Sequence, residues 1–190
     1  MLLPQPAAGA RELQPVTTQQ FVAAMGQHVA SVCVITTSYA GERYGLTATA
    51  VSSVCAVPPR LLVCINKTGA TGEKIMAAGQ FCVNVATEEQ EHIAKAFAGM
   101  LGKDFDKFSL GTWEVLATGS PALQGASASI DCRLVDHFDQ HSHSIFIGEA
   151  VGVATLSGVD ALLYGGRRFR SLRKLFNTDA TGDLETLHFW

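Results

Sequence analysis

Four short segments of this 190-residue chain hold residue types that could do chemistry. The first is GLTATAVSSV, residues 45–54. There Thr47, Thr49, Ser52 and Ser53 supply hydroxyls, while Ala48 and Ala50 are small enough for a flat ring to reach the backbone. Such a stretch offers N–H groups and hydroxyls to a polar ring edge or a phosphate. An edge strand with one solvated polar face satisfies the same pattern. The second segment is NKTGAT, residues 66–71. Lys67 brings positive charge, and Thr71 stands where free N–H groups at a helix start attract phosphate. A plain strand-to-helix turn capped by Thr71 is the alternative. Phe81 and Asn84 come one strand later, and the Asn84 amide lies in an apolar run where it needs partners, from a ligand edge or from backbone.

The third segment is HFDQHSHSIFIGE, in which His141 and His143 are two apart and would share one face of a strand. H-x-H followed by a glutamate is the metal pattern of a cupin barrel, but Glu149 lies farther on than that pattern places it and the flanking glycines are missing. A solvated loop pair, or one histidine touching a ligand, fits as well. The fourth segment is YGGRRFRSLRK, where Arg167, Arg168, Arg170, Arg173 and Lys174 could neutralise the phosphates of a dinucleotide or bind nucleic acid. Nucleic acid calls for interleaved aromatics, and Phe169 stands alone there. A solvated strand end is the bland reading. Other motifs are missing. No G-x-G-x-x-G follows a strand, GATGEK puts Glu73 before Lys74 with no Ser or Thr after it, and no G-x-S-x-G elbow occurs.

These residues need a scaffold. Thr17 and Gln20 stand in capping-box spacing, predicting a short helix through Phe21, Val22 and Met25 to about His28. Strands are predicted over 31–38, over 45–55 (one strand, or one that breaks midway), and over 61–66, with Pro58-Pro59 ending the second. A one- to two-turn helix at about 72–78 precedes a strand over 81–85. Thr87 and Gln90 repeat the capping-box spacing before Ile93, Ala94 and Phe97 at helical period. Residues 102–115 read as loop, and strands over 127–135, 144–156 and 161–166 follow. About seven strands with three small helices and short links suggest a closed or partly closed antiparallel barrel.

Composition agrees with one compact domain. Apolar residues are 47% and charged residues 16%, against about 25% charged in ordinary soluble domains. No apolar run reaches the roughly 18 residues of a membrane-spanning helix. The apolar excess must face itself, a ligand or a second subunit. A net charge of −3 exerts no global pull toward nucleic acid or anionic membrane. Five cysteines, an odd number with no C-x-x-C pair, read as reduced small hydrophobes of a cytoplasmic protein. The first residues lack the pattern of a secretory signal and read as a frayed lead. The expected division is a lead over 1–16, one domain over 17–172 and a tail over 173–190.

Taken together, several blocks carry a resemblance. FVAAMGQHVASVCVITT, GLTATAVSSVCAVPPRLLVCIN, FCVNV, EEQEHIAKAFAG and LLYGGRRF occur in this order between residues 21 and 172. In that order the chain resembles the short-chain flavin reductases of two-component flavin monooxygenases. Within them it is most similar to the reductase components of 4-hydroxyphenylacetate, phenol and chlorophenol monooxygenases, and the pyrimidine-degradation flavin reductase is another relative. The resemblance implies a mainly β, FMN-binding split barrel that forms a homodimer. It implies NADH-dependent (or NADPH-dependent) reduction of free FAD or FMN, which then diffuses to a separate oxygenase acting on an aromatic compound. By the same resemblance Thr47, Ala48, Thr49, Ala50, Ser52 and Ser53 would contact the flavin ring edge and ribityl chain. Asn66, Lys67 and Thr71 would hold the flavin phosphate, and Phe81, Cys82 and Asn84 would flank the site. His143, Tyr164 and Arg168 would lie on the NADH side, with His141-Ser142 standing where the family has Gly-Asp or Gly-Thr. Hydride passes directly between two rings, so no acid, base or metal is expected, nor any nucleic-acid or membrane partner. A non-catalytic flavin-binding barrel and a metal-dependent cupin-like enzyme are the other readings.

Overall fold

The computed structural model describes residues 14–171. Most of the expected lead (1–16) and the whole expected tail (173–190), with Arg173 and Lys174, lie outside them. Helix α1 (Thr18–Met25) opens the fold with the anticipated capping box. Gln20 N donates to Thr17 Oγ1 at 3.2 Å and Thr17 N donates to Gln20 Oε1 at 2.9 Å. No side chain of α1 is buried. After it come β1 (Ala30–Ser31), β2 (Cys33–Tyr39) and β3 (Glu42–Ala48). The stretch 45–55 does break midway: β4 (Val51–Ala56) starts again after Thr49 and Ala50. Pro59 opens β5 (Pro59–Asn66) rather than ending β4, because a first-position proline has no ladder N–H to lose.

Helix α2 (Ala70–Ala78) ends on Gly79 at a φ of 67°, then β6 (Gln80–Val85) enters the sheet. The second capping box is also present, Thr87 N donating to Gln90 Oε1 at 3.1 Å, and leads through a 3-10 turn into α3 (Glu91–Phe97). The expected loop at 102–115 holds a 3-10 turn and β7 (Trp113–Val115), which pairs with β8 (Pro121–Leu123). A long hairpin of β9 (Ala128–Gln140) and β10 (His143–Thr155) follows, then β11 (Leu162–Gly165) and β12 (Arg168–Ser171). Twelve strands among the described residues replace the anticipated seven. The extra ones are mostly two to four residues long, too short for alternation to betray them.

Seven strands form one antiparallel sheet in the order β3-β2-β6-β9-β10-β5-β4. Its two edge strands, β3 and β4, are consecutive in the chain and separated only by Thr49 and Ala50. Three Cα steps span at most about 11 Å, so the sheet must curl until its edges nearly meet. The result is a partly closed antiparallel barrel with its opening at residues 49–50. Cys64 N of β5 donates to Ala50 O at 2.9 Å beside that opening. Inside lie Ile35, Val63, Ile65, Ile75, Phe81 and Phe146, all nearly inaccessible to water. Strand β2 is buried on both faces. Its Val34 turns outward into a second cluster with Ile93, Phe97, Phe108 and Leu123 of the α3 side.

Candidate functional site

An open cleft of about 430 Å³ lies at the break in the barrel. Thr47, Ala48, Thr49 and Ala50 make one wall, where small side chains leave the backbone approachable. Opposite stand Cys64 and Asn66 of β5 and His143 at the start of β10, which pairs with Asn66 across the ladder. Thr68 and Gly69 lead from β5 into α2 at the rim, and Phe97 and Ala98 close the α3 side. Several features hold this arrangement. Thr47 Oγ1 donates to Ala94 O of α3 at 2.7 Å. Gly45 lets Phe97 approach β3, since a Cβ at residue 45 would come within 2.7 Å of Phe97 Cε1. Behind Phe97, the rings of Phe108 and Trp113 lie 4.9 and 5.4 Å away between centroids.

On the other side of the same wall is a second cleft of about 210 Å³, bounded by Met100, Tyr164 and Phe169 and again by Thr47, Ala48, Thr49 and Ala98. Tyr164 and Phe169 meet edge to face at 5.3 Å. Beyond Asn66 a smaller pocket is lined by Lys67, Gly69, Gly72, Glu73, Asp139 and Ser144, among others. Lys67 Nζ lies 3.2 Å from Asp139 Oδ2 there. The Ser144 hydroxyl and then Lys67 hold the Asp139 carboxyl below its ordinary range. Helix α2 starts at Gly69 with no side-chain cap. A Cβ at Gly69 would meet nothing within 4 Å, so there is open space beside the cap residue. A small-residue wall for a flat ring, with uncapped amides beside it for an anion, fits a flavin mononucleotide.

The structure gathers Thr47, Ala48, Thr49, Ala50, Asn66 and His143 around the first cleft and Tyr164 onto the second. It overturns the place of Thr71 as helix cap and sets the other expected residues away from the two clefts. Thr71 is the second residue of α2, not its cap. There it is buried with Gly72 and Ile75 on the inward face, and Thr68 takes the place on the cleft rim. Phe81, Cys82 and Asn84 sit on β6, covered by β2 and β9 on either side, and are fully buried. The Asn84 amide is saturated by the protein: it donates to Val34 O at 3.0 Å and accepts from Leu123 N and Ser129 Oγ at 2.8 Å each. Ser52 and Ser53 are exposed on edge strand β4, outside the lining of both clefts. Arg168 is exposed at the start of β12 and lines neither cleft. His141 does not share a strand face with His143. It occupies the hairpin turn at a φ of 42°, a conformation histidine tolerates better than most residues. Among the described residues no group of three or more His, Cys, Asp or Glu could hold a metal. Unforeseen contributors are Thr68, Phe97, Ala98, Met100 and Phe169. Thr68 and Phe169 fall inside segments already singled out in the sequence, and Phe97 shows there as an apolar residue at helical period.

Comparison with known proteins decides the family. A model described as the flavin reductase like domain matches residues 25–173. The chain belongs to the flavin reductase-like family. It is 35% identical over 165 residues to FMN reductase (NADH) RutF of Ancylobacter novellus, covering 87% of this chain and 91% of that protein. Among solved structures it is similar to flavin reductase PheA2 in its native state, with a TM-score of 0.76 at 32% identity over 83% of this chain and 99% of that one. It is also similar to BorF, the flavin reductase component of a bacterial two-component tryptophan halogenase. There the TM-score is 0.75 at 28% identity, over 82% of this chain and 98% of that one. The mainly β split barrel anticipated from the sequence is therefore the fold of this family.

Family membership makes one feature of the cleft testable by simple chemistry. All five cysteines are free. Burial pushes the Cys33 thiol up to about 12, and burial with nearby Asp131 pushes Cys132 to about 12. Burial, and then the Asp131 charge, raises Cys82 as well. Because only thiolates react readily, Ellman's reagent should modify at most Cys55 and Cys64 in native protein and all five in denaturant. Saturating FMN should slow the reaction at Cys64, which lines the cleft, and leave Cys55 unchanged. Equal Cys64 rates with and without FMN would place the ring elsewhere.

Proposed function

We propose that this chain is an NADH-dependent flavin reductase that takes up free FMN or FAD at the break in its barrel and releases it reduced. The observation that carries the reading is the cleft itself. It sets the Thr47–Ala50 wall, His143 and the uncapped start of α2 around one opening. When bound, the flavin and nicotinamide rings supply hydride acceptor and donor, so the organic chemistry is theirs. The protein's share is alignment. Thr47 to Ala50 flank the ring with backbone and hydroxyl groups. Asn66, Lys67 and the α2 amides take the phosphate end. His143 is a positioning residue for the nicotinamide: Ser142 Oγ lies 2.9 Å from its Nδ1, which orients the imidazole and leaves Nε2 for the nucleotide. Tyr164, across the wall, belongs to the same nucleotide. None of these residues needs to move a proton at the reacting atoms.

The direct experiment follows NADH absorbance after adding FMN, FAD or riboflavin, with and without a chelator. Flavin-dependent oxidation that ignores the chelator is expected. Tight flavin binding with no NADH consumption would favour a binding barrel, and loss of activity to the chelator would favour a metal enzyme. In the same assay His143→Ala should raise the NADH KM or lower kcat roughly tenfold while FMN affinity stays within about twofold. Native kinetics in that variant would remove His143 from the site.

We further propose a homodimer and a separate oxygenase partner. Support for the dimer is α1, whose Phe21, Val22 and Met25 are all exposed, continued by exposed Val29. Apolar patches of this kind mark association surfaces. Support for the oxygenase is the likeness to BorF, itself named as one component of two. An aromatic-compound oxygenase of the phenol or hydroxyphenylacetate type is one recipient, and the likeness to RutF proteins favours a different one. Coupled assays with each oxygenase would choose between them. No helix of the described residues is long and apolar enough to cross a membrane, and a cytoplasmic location is part of this proposal.

A further inference from the structure

The pocket beyond Asn66 holds one ammonium and two carboxylates. Lys67 Nζ is 3.2 Å from Asp139 Oδ2, and Asp139 Oδ1 accepts from Ser144 Oγ at 2.6 Å. Glu73, in the first turn of α2, lines the same pocket. Backbone fastens the pair as well, Lys67 N donating to Ser142 O at 2.9 Å at the tip of the β9–β10 hairpin. Among the described residues lining the pocket, Lys67 is the single cation, and it is already engaged.

A phosphate entering here would therefore find a neutralised lysine and a net negative lining, with only the α2 amides in its favour. We propose that Asp139 is a specificity-determining residue: by holding Lys67 and placing its own charge beside it, Asp139 makes the site nearly indifferent to the flavin's phosphate. Ring contacts then carry recognition, and flavins with different tails exchange through one cleft. This inference rests on the flavin reductase reading above. An ion pair as exposed as this one contributes little to folding, so Asp139 can be altered without losing the fold. Asp139→Asn keeps an oxygen for Ser144 and removes only the charge.

The test is titration of FMN and of riboflavin, which lacks the phosphate, against wild type, D139N, K67A and E73Q. Wild type should bind the two flavins with similar affinity. D139N should bind FMN roughly fivefold more tightly, with riboflavin unchanged and the gain shrinking as salt is added. K67A should weaken FMN alone. E73Q should shift FMN in the same direction as D139N, and it decides the matter if D139N fails to fold. An FMN-to-riboflavin ratio equal to wild type in D139N, or in E73Q should D139N fail to fold, overturns the inference while leaving the flavin site standing. Wild-type protein that binds neither flavin overturns the proposed function, and this inference with it.

Discussion

Ala50→Trp should abolish flavin binding and leave the fold intact. Ala50 is exposed in the two-residue gap between β3 and β4, and it lines the cleft rather than the core. What the fold uses of this residue is its carbonyl, which accepts from Cys64 N at 2.9 Å, and a substitution keeps that group. An indole there would fill a large part of the space of about 430 Å³. A flavin that can no longer seat its ring should lose at least about 100-fold in affinity, equivalent to about 2.7 kcal/mol. Fluorescence titration reads the affinity, and a thermal melt shows whether the barrel survives. Wild-type affinity in a folded Ala50→Trp variant would mean that the ring binds somewhere else.

Asn84→Ala should do the reverse. It should cost the fold about 3 to 5 kcal/mol, because a fully buried amide leaves several partners unsatisfied at once. Those partners include Val34 O, Leu123 N and Ser129 Oγ, together with Thr36 Oγ1 at 3.2 Å. They tie β2, β8 and β9 to the C-terminal end of β6. For a chain of this size the melting temperature should fall by roughly 10 °C. Whatever protein remains folded should reduce flavin with an unchanged KM, since Asn84 lies behind the cleft wall. A raised flavin KM at an unchanged melting temperature would instead return Asn84 to the site.

The contrast between these two positions shows what the sequence could reveal. Small residues between hydroxyls announced the Thr47–Ala50 wall, because that composition is unusual for a strand, and the break after Ala48 was among the expected outcomes. Two capping boxes were legible because their spacing is local. Asn84 was ambiguous for a physical reason: a polar residue in an apolar run needs a partner, and sequence alone cannot say whether protein or ligand provides it. Thr71 was displaced by an error of two residues in the start of α2. At about 100° per residue, such an error turns a side chain from solvent to core. His141 went to a turn because the hairpin of β9 and β10 reverses there, which alternation does not show. Phe169 stands opposite Tyr164 across the β11–β12 hairpin, whereas Met100 comes to the second cleft from a distant part of the chain and nothing local marks it as a neighbour.

Helix α1 has a consequence for handling the protein. At eight residues it is shorter than the roughly 12 to 15 that an isolated helix needs to persist in water. With no face buried against the described residues, its order is linked to whatever covers it. If that cover is a second copy, mass action ties the integrity of this end to protein concentration. Dilute stocks would then fray from the front first, and bulky fusions placed there would compete with assembly.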